Sequence, residues 1–534
     1  MTDYPVLESI ESPSRLKELS DSELAQLCDE IRDKIISTVS KNGGHLASNL
    51  GVVELTVALL MTFDPPEDSI VYDVGHQAYV YKLLTGRYGD FESLRRDGGI
   101  SGFPKRQESL YDAFNTGHAS TSISAALGIL RAKRRSNAPG SAVALIGDGS
   151  LTGGMAFEAL DDAGRSKLPL IVILNDNSMS IERNVGAISS HLSNIRLSRG
   201  YQRIKRNAVR GLKKTKLGKS MYSGIERMKN RIKYFLQPNN ILFEALGFTY
   251  IGPIDGHDID AIVSVIRRAK ALDKPVLIHA ITKKGFGYLH AEEKPDEFHG
   301  IAAFDISTGE CTASAANNSK VFGHKLCELA AEDERICAIT AAMTAGTGLT
   351  EFSTRFADRF YDVGIAEQHA VTLAAGMAVG GMKPVVAIYS TFLQRAYDQI
   401  LHDVCLQGLP VVFAVDRAGL VGEDGETHQG VYDIAYMRTI PDLTLYSPAT
   451  VRELEEMLEY ALRRSEPSAI RYNRGLLASL QDSGGAIERG KWAVIREPRE
   501  ITLIASGRML ARALQVAGEF DVGVINARFL KPID

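Results

Sequence analysis

Cysteine is scarce in this chain. Five are spread over 534 residues, at Cys28, Cys311, Cys327, Cys337 and Cys405, and no two form a CxxC pair. Such spacing argues against a disulfide scaffold, a zinc site or an iron–sulfur loop, and suits a reducing cytoplasm. Long apolar runs are missing too. None approaches the roughly 18 residues of a membrane span. The opening MTDYPVLESIESPSRL is acidic, without a basic start and an apolar stretch, so no signal peptide is expected. Charge of one sign is also lacking. The formal net charge is −4, too small to imply a partner by itself. The exception is local: between 196 and 233, 14 Lys or Arg stand against one Glu, Glu226. Aromatics are not interleaved with those cations as in single-strand binders. The segment 196–236 therefore reads as a solvated basic insertion rather than a nucleic-acid site. On an otherwise acidic body it can attract small anions.

What the chain does have is alternation of short Val- and Ile-rich runs with helical patterns. SAVALIG, LPLIVILND, KPVLIHAIT, KPVVAIYST, LPVVFAVDR, SAIRY, EITLIASG and VGVINAR read as strands. They are apolar on both faces, as parallel strands buried under helices must be. The class is α/β, built from βαβ units. Small polar stretches at 305–320 and 482–490 read as linkers. They divide the chain into a first domain, 1–308, a second, 320–484, and a third, 490–534. The third offers only strand, helix and strand, too little to bury a core alone.

The stretch GDGSLTGG, 147–154, follows one expected strand, and Asp148 sits at that strand's carboxyl end. Asn177 stands 29 positions later and also closes a strand. One βαβ unit takes about 30 residues, so the two side chains are expected side by side on one sheet edge. Both offer oxygen, and the Met179 carbonyl offers a third. Three protein oxygens leave an octahedral Mg²⁺ room for two diphosphate oxygens and a water. A Walker loop would need GxxxxGK[ST], and a dinucleotide loop would need Gly where Thr152 stands. A plain turn is the alternative for GDG alone; GDG and NDN at βαβ spacing are more specific together.

Seven further stretches narrow the reading: KNGGHLASNLGVVELTVAL, DVGHQAYVYKLLTGR, NTGHASTSISAALG, DVGIAEQHAVTLAAGMA, YSTFLQRAYDQI, DRAGLVGEDGETHQGVYD and NARFLKPID. With GDG…NDN they resemble the 1-deoxy-D-xylulose-5-phosphate synthase family of transketolase-like thiamine-diphosphate enzymes, from one end of the chain to the other. The resemblance implies two thiamine-diphosphate-binding parallel-sheet domains and a truncated third α/β domain. It implies thiamine diphosphate and Mg²⁺ as cofactors, pyruvate and D-glyceraldehyde 3-phosphate as substrates, and a cytoplasmic homodimer. Asp148, Asn177 and the Met179 carbonyl would hold the metal. His76, Gly117, His118, Ala119, Gly149, Ser150, Asn177 and Tyr288 would line the thiazolium and diphosphate. Glu367 would meet the aminopyrimidine and Phe392 would stack on it. His45, His428 and Asp424 would handle substrate, and Arg417 and Arg474 would clamp its phosphate, with Arg471 in reserve. Two departures stand out: the family's GHSS has Ala119 here, and its RYPRG has Asn473. Transketolase, a pyruvate dehydrogenase E1 component and an inactive cofactor-binding protein are the alternatives.

Decarboxylating an α-keto acid requires an electron sink that side chains lack and a thiazolium supplies. A carboxylate in an apolar pocket can share a proton with the cofactor's ring nitrogen. Glu367 fits that role, or it caps the first turn of a helix over 367–379; the resemblance assigns it to catalysis. His45, His76, His118 and His428 stand beside glycines or small residues in expected loops, where neutral imidazoles can move protons near pH 7. His191, His257, His290, His299, His324, His369 and His402 read as surface or structural, His299 being the nearest to an exception.

Overall fold

The computed structural model describes residues 4–177, 186–187, 192, 241–311, 316–422, 424–479 and 484–534. Met179, His191, Glu423 and the whole basic insertion 196–236 lie outside the described residues. Backbone contacts divide the chain into two units, Met1–Cys311 and Thr312–Asp534. Among the described residues no helix is long and apolar enough to cross a membrane.

The first unit is built on strands β1 (Ser69–Tyr72), β2 (Ala142–Gly147), β3 (Ile171–Asp176), β4 (Thr249–Asp255) and β5 (Val276–Ile281). They lie in the order β1-β2-β3-β5-β4, every pair parallel. Alternation along each strand explains the sheet. Val143, Leu145, Ile171, Ile173 and Ile278 join one core, whereas Ala144, Ile146, Val172, Leu174 and Leu277 join the other. Each face is covered by helices. Asp21–Asn42, Val53–Thr62 and Ile259–Lys270 contribute to the first core. Ser122–Ser136 and Gly154–Ser166 contribute to the second. Each fully buried Val, Leu or Ile contributes about 1.5–3 kcal/mol. The helix Asp21–Asn42 starts at a reciprocal cap, with Ser20 accepting from the Glu23 amide and the Glu23 carboxylate accepting from the Ser20 amide, worth about 1 kcal/mol.

The second unit holds β6 (Ile336–Thr340), β7 (Phe360–Asp362), β8 (Lys383–Tyr389), β9 (Val412–Asp416), β10 (Thr444–Tyr446), β11 (Ser468–Arg471), β12 (Ala493–Arg496), β13 (Thr502–Ala505), β14 (Gly523–Asn526) and β15 (Phe529–Lys531). Seven of them form a sheet in the order β15-β10-β11-β9-β8-β6-β7. All its pairings are parallel except β10 with β15. The remaining three form a small sheet, β12-β14-β13.

The last 45 residues therefore do not rely on a core of their own. Their small cluster, Leu510, Ala513, Ala517, Val522 and Val524, takes in Ala449 from the preceding sheet's side. β15 adds an edge to the larger sheet. Between them Arg528, 2% exposed, meets Glu453 at 2.7 Å, and Asn526 donates to the same carboxylate at 2.9 Å. Breaking one partner of such a buried pair costs about 3–5 kcal/mol.

Candidate active site

In the first unit the expected residues gather at the carboxyl edge of the parallel sheet. β2 and β3 pair with Gly147 beside Asn175, so Asp148 and Asn177 follow adjacent strand ends, the arrangement their spacing predicts. The Asp148 amide donates to the Asn175 carbonyl at 3.2 Å, holding the GDG corner against β3. Thr282, past the end of β5, donates to Asn175 Oδ1 at 2.7 Å. Asp148 is 4% exposed. A Cβ added at Gly147 or Gly154 would meet nothing within 4 Å, so there is open space beside the loop. Lys284 is buried close enough to Asp148 and Asp296 to feel both; burial brings its pKa down to about 8 against their attraction. One carboxylate, one amide and a buried ammonium suit a divalent ion carrying a diphosphate. Among the described residues no three His, Cys, Asp or Glu could hold a metal together.

The loop of Gly117, His118 and Ala119 is fixed from beneath. Asp73, just past β1, accepts from the Ser120 amide at 2.7 Å and the Ser122 amide at 3.0 Å. Burial raises its carboxyl pKa against these bonds. Ser120 Oγ donates to the Ser150 carbonyl at 2.7 Å, joining this loop to the GDGS corner. Val74 and Ser120 adopt φ of 58° and 68°. Such conformations cost about 1–3 kcal/mol each and concentrate at functional sites. At Gly75 a Cβ would stand 2.2 Å from Thr116 Oγ1 and 2.5 Å from Pro104 Cδ, so only glycine lets His76 follow so tight a bend.

His45 and His76 meet edge-on, with ring centroids 5.4 Å apart. His299 joins them, 5.8 Å from His45 and 5.0 Å from His76. Its reading as a surface or structural residue gives way to a place within the histidine cluster. Burial, then Lys284, His76 and His45, hold its pKa well below the ordinary imidazole range. Sequence reasoning also missed Asn49, which is fully buried and donates to the carbonyls of both His45 and His76. Its only signal was its place inside HLASN. Tyr288 spends its hydroxyl on the Ile306 carbonyl at 2.7 Å and packs its ring against Phe298 and Phe304.

In the second unit Glu367 opens the helix Glu367–Val379 and is 4% exposed. Burial raises its pKa, and Arg395, at 3.8 Å, opposes this only in part. The helix N-terminus favours the anion, yet desolvation wins. Phe392 stacks on Tyr389, centroids 5.9 Å apart, and meets His428 edge-on at 5.5 Å. Arg417 lies over the opposite partner of that stack, its guanidinium 3.9 Å from the Tyr389 centroid. It sits just past β9 at φ 54°, and its amide donates to Asp416 Oδ1 at 2.7 Å. Burial pushes the Asp416 carboxyl up to about 6. Asp424 precedes the short turn Gly425–Thr427, which leads into His428. Arg474 is exposed and donates to the Val421 carbonyl at 3.2 Å. Arg471, the reserve clamp, is committed elsewhere: it donates to both oxygens of buried Asp433, at 3.0 and 3.3 Å.

Residues 7–282 match the family pattern described as 1-deoxy-D-xylulose-5-phosphate synthase. Residues 314–479 match the transketolase pyrimidine binding domain, and 490–534 the transketolase C-terminal domain. The 1-deoxy-D-xylulose-5-phosphate synthase of Clostridium acetobutylicum is 50% identical, over 99% of this chain and 87% of that one. The enzyme of that name from Pelotomaculum thermopropionicum is 53% identical, over 99% of this chain and 84% of that one. The chain belongs to the 1-deoxy-D-xylulose-5-phosphate synthase family.

Proposed function

We propose that this protein condenses pyruvate with D-glyceraldehyde 3-phosphate, releasing CO₂ and forming 1-deoxy-D-xylulose 5-phosphate, with thiamine diphosphate and Mg²⁺ as cofactors. The observation that carries the reading is that Asp148 and Asn177 follow the ends of two adjacent parallel strands, whose last registered pair is Gly147 with Asn175, in a chain of this family. When bound, thiamine diphosphate supplies the electron sink that lets an α-keto acid lose CO₂. The three-domain division at 1–308, 320–484 and 490–534 accompanies this reading, as do a homodimer and a cytoplasmic setting.

The residues divide the work. Asp148, Asn177 and the Met179 carbonyl hold the cation, and Lys284 offsets negative charge of the diphosphate beside it. Gly117, His118, Ala119, Gly149 and Ser150 present backbone and small side chains to the diphosphate end. His76 and Tyr288 serve the thiazolium end. Glu367, whose burial raises its pKa, shares a proton with the aminopyrimidine, and Phe392 stacks there. His45 and His428 move protons at substrate hydroxyls, with Asp424 assisting His428. Arg417 and Arg474 hold the acceptor's phosphate, the first with its guanidinium carbon 3.9 Å from the Tyr389 ring centroid; a guanidinium can hold a phosphate through two parallel bonds.

A donor choice tests the assignment. The purified protein, given Mg²⁺, thiamine diphosphate and D-glyceraldehyde 3-phosphate, should form a ketose phosphate with pyruvate as donor. With xylulose 5-phosphate and ribose 5-phosphate instead, it should exchange no two-carbon unit. Exchange between those sugars without use of pyruvate would overturn the reading.

A further inference from the structure

The segment Lys283–Tyr288, KKGFGY, carries buried Lys284 into the neighbourhood of Asp148. Its backbone is gripped from behind by three residues that no catalytic role requires. The Lys283 amide donates to His257 Nε2 at 2.9 Å. A backbone amide can only donate, so Nε2 offers its lone pair and the ring proton sits on Nδ1. Nδ1 stands 2.9 Å from Glu54 Oε2. The other oxygen of Glu54 takes the Arg32 guanidinium, and Arg32 Nε returns to the segment by donating to the Phe286 carbonyl at 3.2 Å. The Phe286 ring closes the circuit. It lies on His257, centroids 4.1 Å apart, and 4.9 Å from the Arg32 guanidinium carbon.

The circuit leaves little freedom. Glu54 and Arg32 are 7% and 8% exposed. Burial alone would raise the Glu54 carboxyl, but His257 and Arg32 together hold it below its ordinary range. Gly287 adopts φ +90°, and a Cβ there would stand 2.7 Å from Arg32 Cδ. The Gly285 amide donates to the Ala47 carbonyl at 2.8 Å, fixing the segment beside the His45 turn. Arg32 comes from the helix Asp21–Asn42, Glu54 from the helix Val53–Thr62, and His257 from the turn after β4. An Arg32–Glu54 pair alone would suffice to join two helices. The His257 bond adds a directional hold on the backbone one residue before Lys284.

We infer that His257, Glu54 and Arg32 form a clamp that positions the Lys283–Tyr288 segment, and with it Lys284, for the diphosphate end of the site. This rests on the thiamine-diphosphate reading above. His257 is a positioning residue and touches neither cofactor nor substrate.

The test uses His257→Phe, His257→Asn and His257→Gln in the full chain. Phe keeps the stack on Phe286 and loses both hydrogen bonds. Asn reaches only as far as Nδ1, towards Glu54. Gln carries an acceptor out to the Nε2 position. Thiamine diphosphate with Mg²⁺ is titrated calorimetrically into cofactor-free protein, hydrogen exchange is followed over 283–288, and turnover is measured at saturating cofactor. Losing the bond that holds the Lys283 amide should weaken cofactor binding about tenfold in Phe and Asn, with turnover at saturation within about twofold of wild type. Exchange over 283–288 should quicken in both, and Gln should restore both readouts. Affinity and exchange unchanged in all three variants, Gln no better than Phe and Asn, or a drop in melting temperature with affinity intact would each overturn the clamp. Should the Phe variant not fold, Asn against Gln decides alone. If wild type itself binds no cofactor, the functional reading fails instead, and the exchange comparison still judges the clamp.

Discussion

The Asn49 side chain donates to the His76 carbonyl at 2.8 Å, across 27 positions of sequence. Its second N–H reaches the His45 carbonyl at 2.6 Å, and its oxygen accepts from the Tyr79 amide at 2.8 Å. One amide thus sets the spacing of two histidine-bearing turns. Asn49→Asp cannot donate to either carbonyl and buries a charge. It should lower the unfolding free energy by about 2–5 kcal/mol. Turnover should fall at least about tenfold at temperatures where the variant remains folded. Denaturant unfolding and initial rates check both.

Glu367 carries a pH signature. Its folded pKa is raised above the ordinary 4.5 by burial. Between those two values the folded chain keeps a proton that the unfolded chain has released. Stability therefore falls as pH rises through that window and stays lower above it. Glu367→Gln removes the ionisation. The variant should be more stable than wild type at pH 7, and the gap should close as pH falls below about 4. Cofactor binding should persist while turnover drops at least about 100-fold.

The cation proposed for the GDG corner is tested by chelation. A chelator should abolish turnover, and added Mg²⁺ should restore it. Asp148→Ala should need far more Mg²⁺ for half-maximal rate than wild type, by at least about tenfold, with the melting temperature of the cofactor-free protein close to wild type. Activity against free Mg²⁺ is the measurement.

Two arginines three positions apart should behave differently. Arg471→Ala leaves the buried Asp433 carboxylate without its ion pair, and should destabilise the fold by about 3–5 kcal/mol. Arg474→Ala should leave the melting temperature near wild type and raise KM for D-glyceraldehyde 3-phosphate at least about tenfold, with KM for pyruvate little changed. Thermal melts and substrate titrations distinguish them.

The strands the sequence revealed were the apolar runs β2, β3, β5, β8, β9, β11, β13 and β14; β13 departs from the expected burial on both faces, since Ile504 is 60% exposed. Those it hid are short, polar at one end, or defined by a partner. β7 is three residues with no buried position. β15 exists because Lys531 finds Leu445, 86 positions earlier, a pairing no local pattern encodes. The GDG and NDN corner was legible because one βαβ unit has a characteristic length. His299 was not, since its neighbours His45 and His76 lie more than 200 positions away. Asn49 and Asp73 escaped for a related reason: their work is done on other residues' backbone, and backbone partners leave no mark on composition. Arg471 was open to misreading because only the folded chain shows Asp433 beside it.

The most direct test follows two carbons. Pyruvate labelled at its carboxyl and keto carbons is mixed with D-glyceraldehyde 3-phosphate, Mg²⁺, thiamine diphosphate and the purified protein, and the labels are traced by carbon NMR. The carboxyl label should leave as CO₂ while the keto label becomes the ketone carbon of a five-carbon sugar phosphate. Both labels remaining in pyruvate, or a keto label that never enters a sugar, would contradict the account.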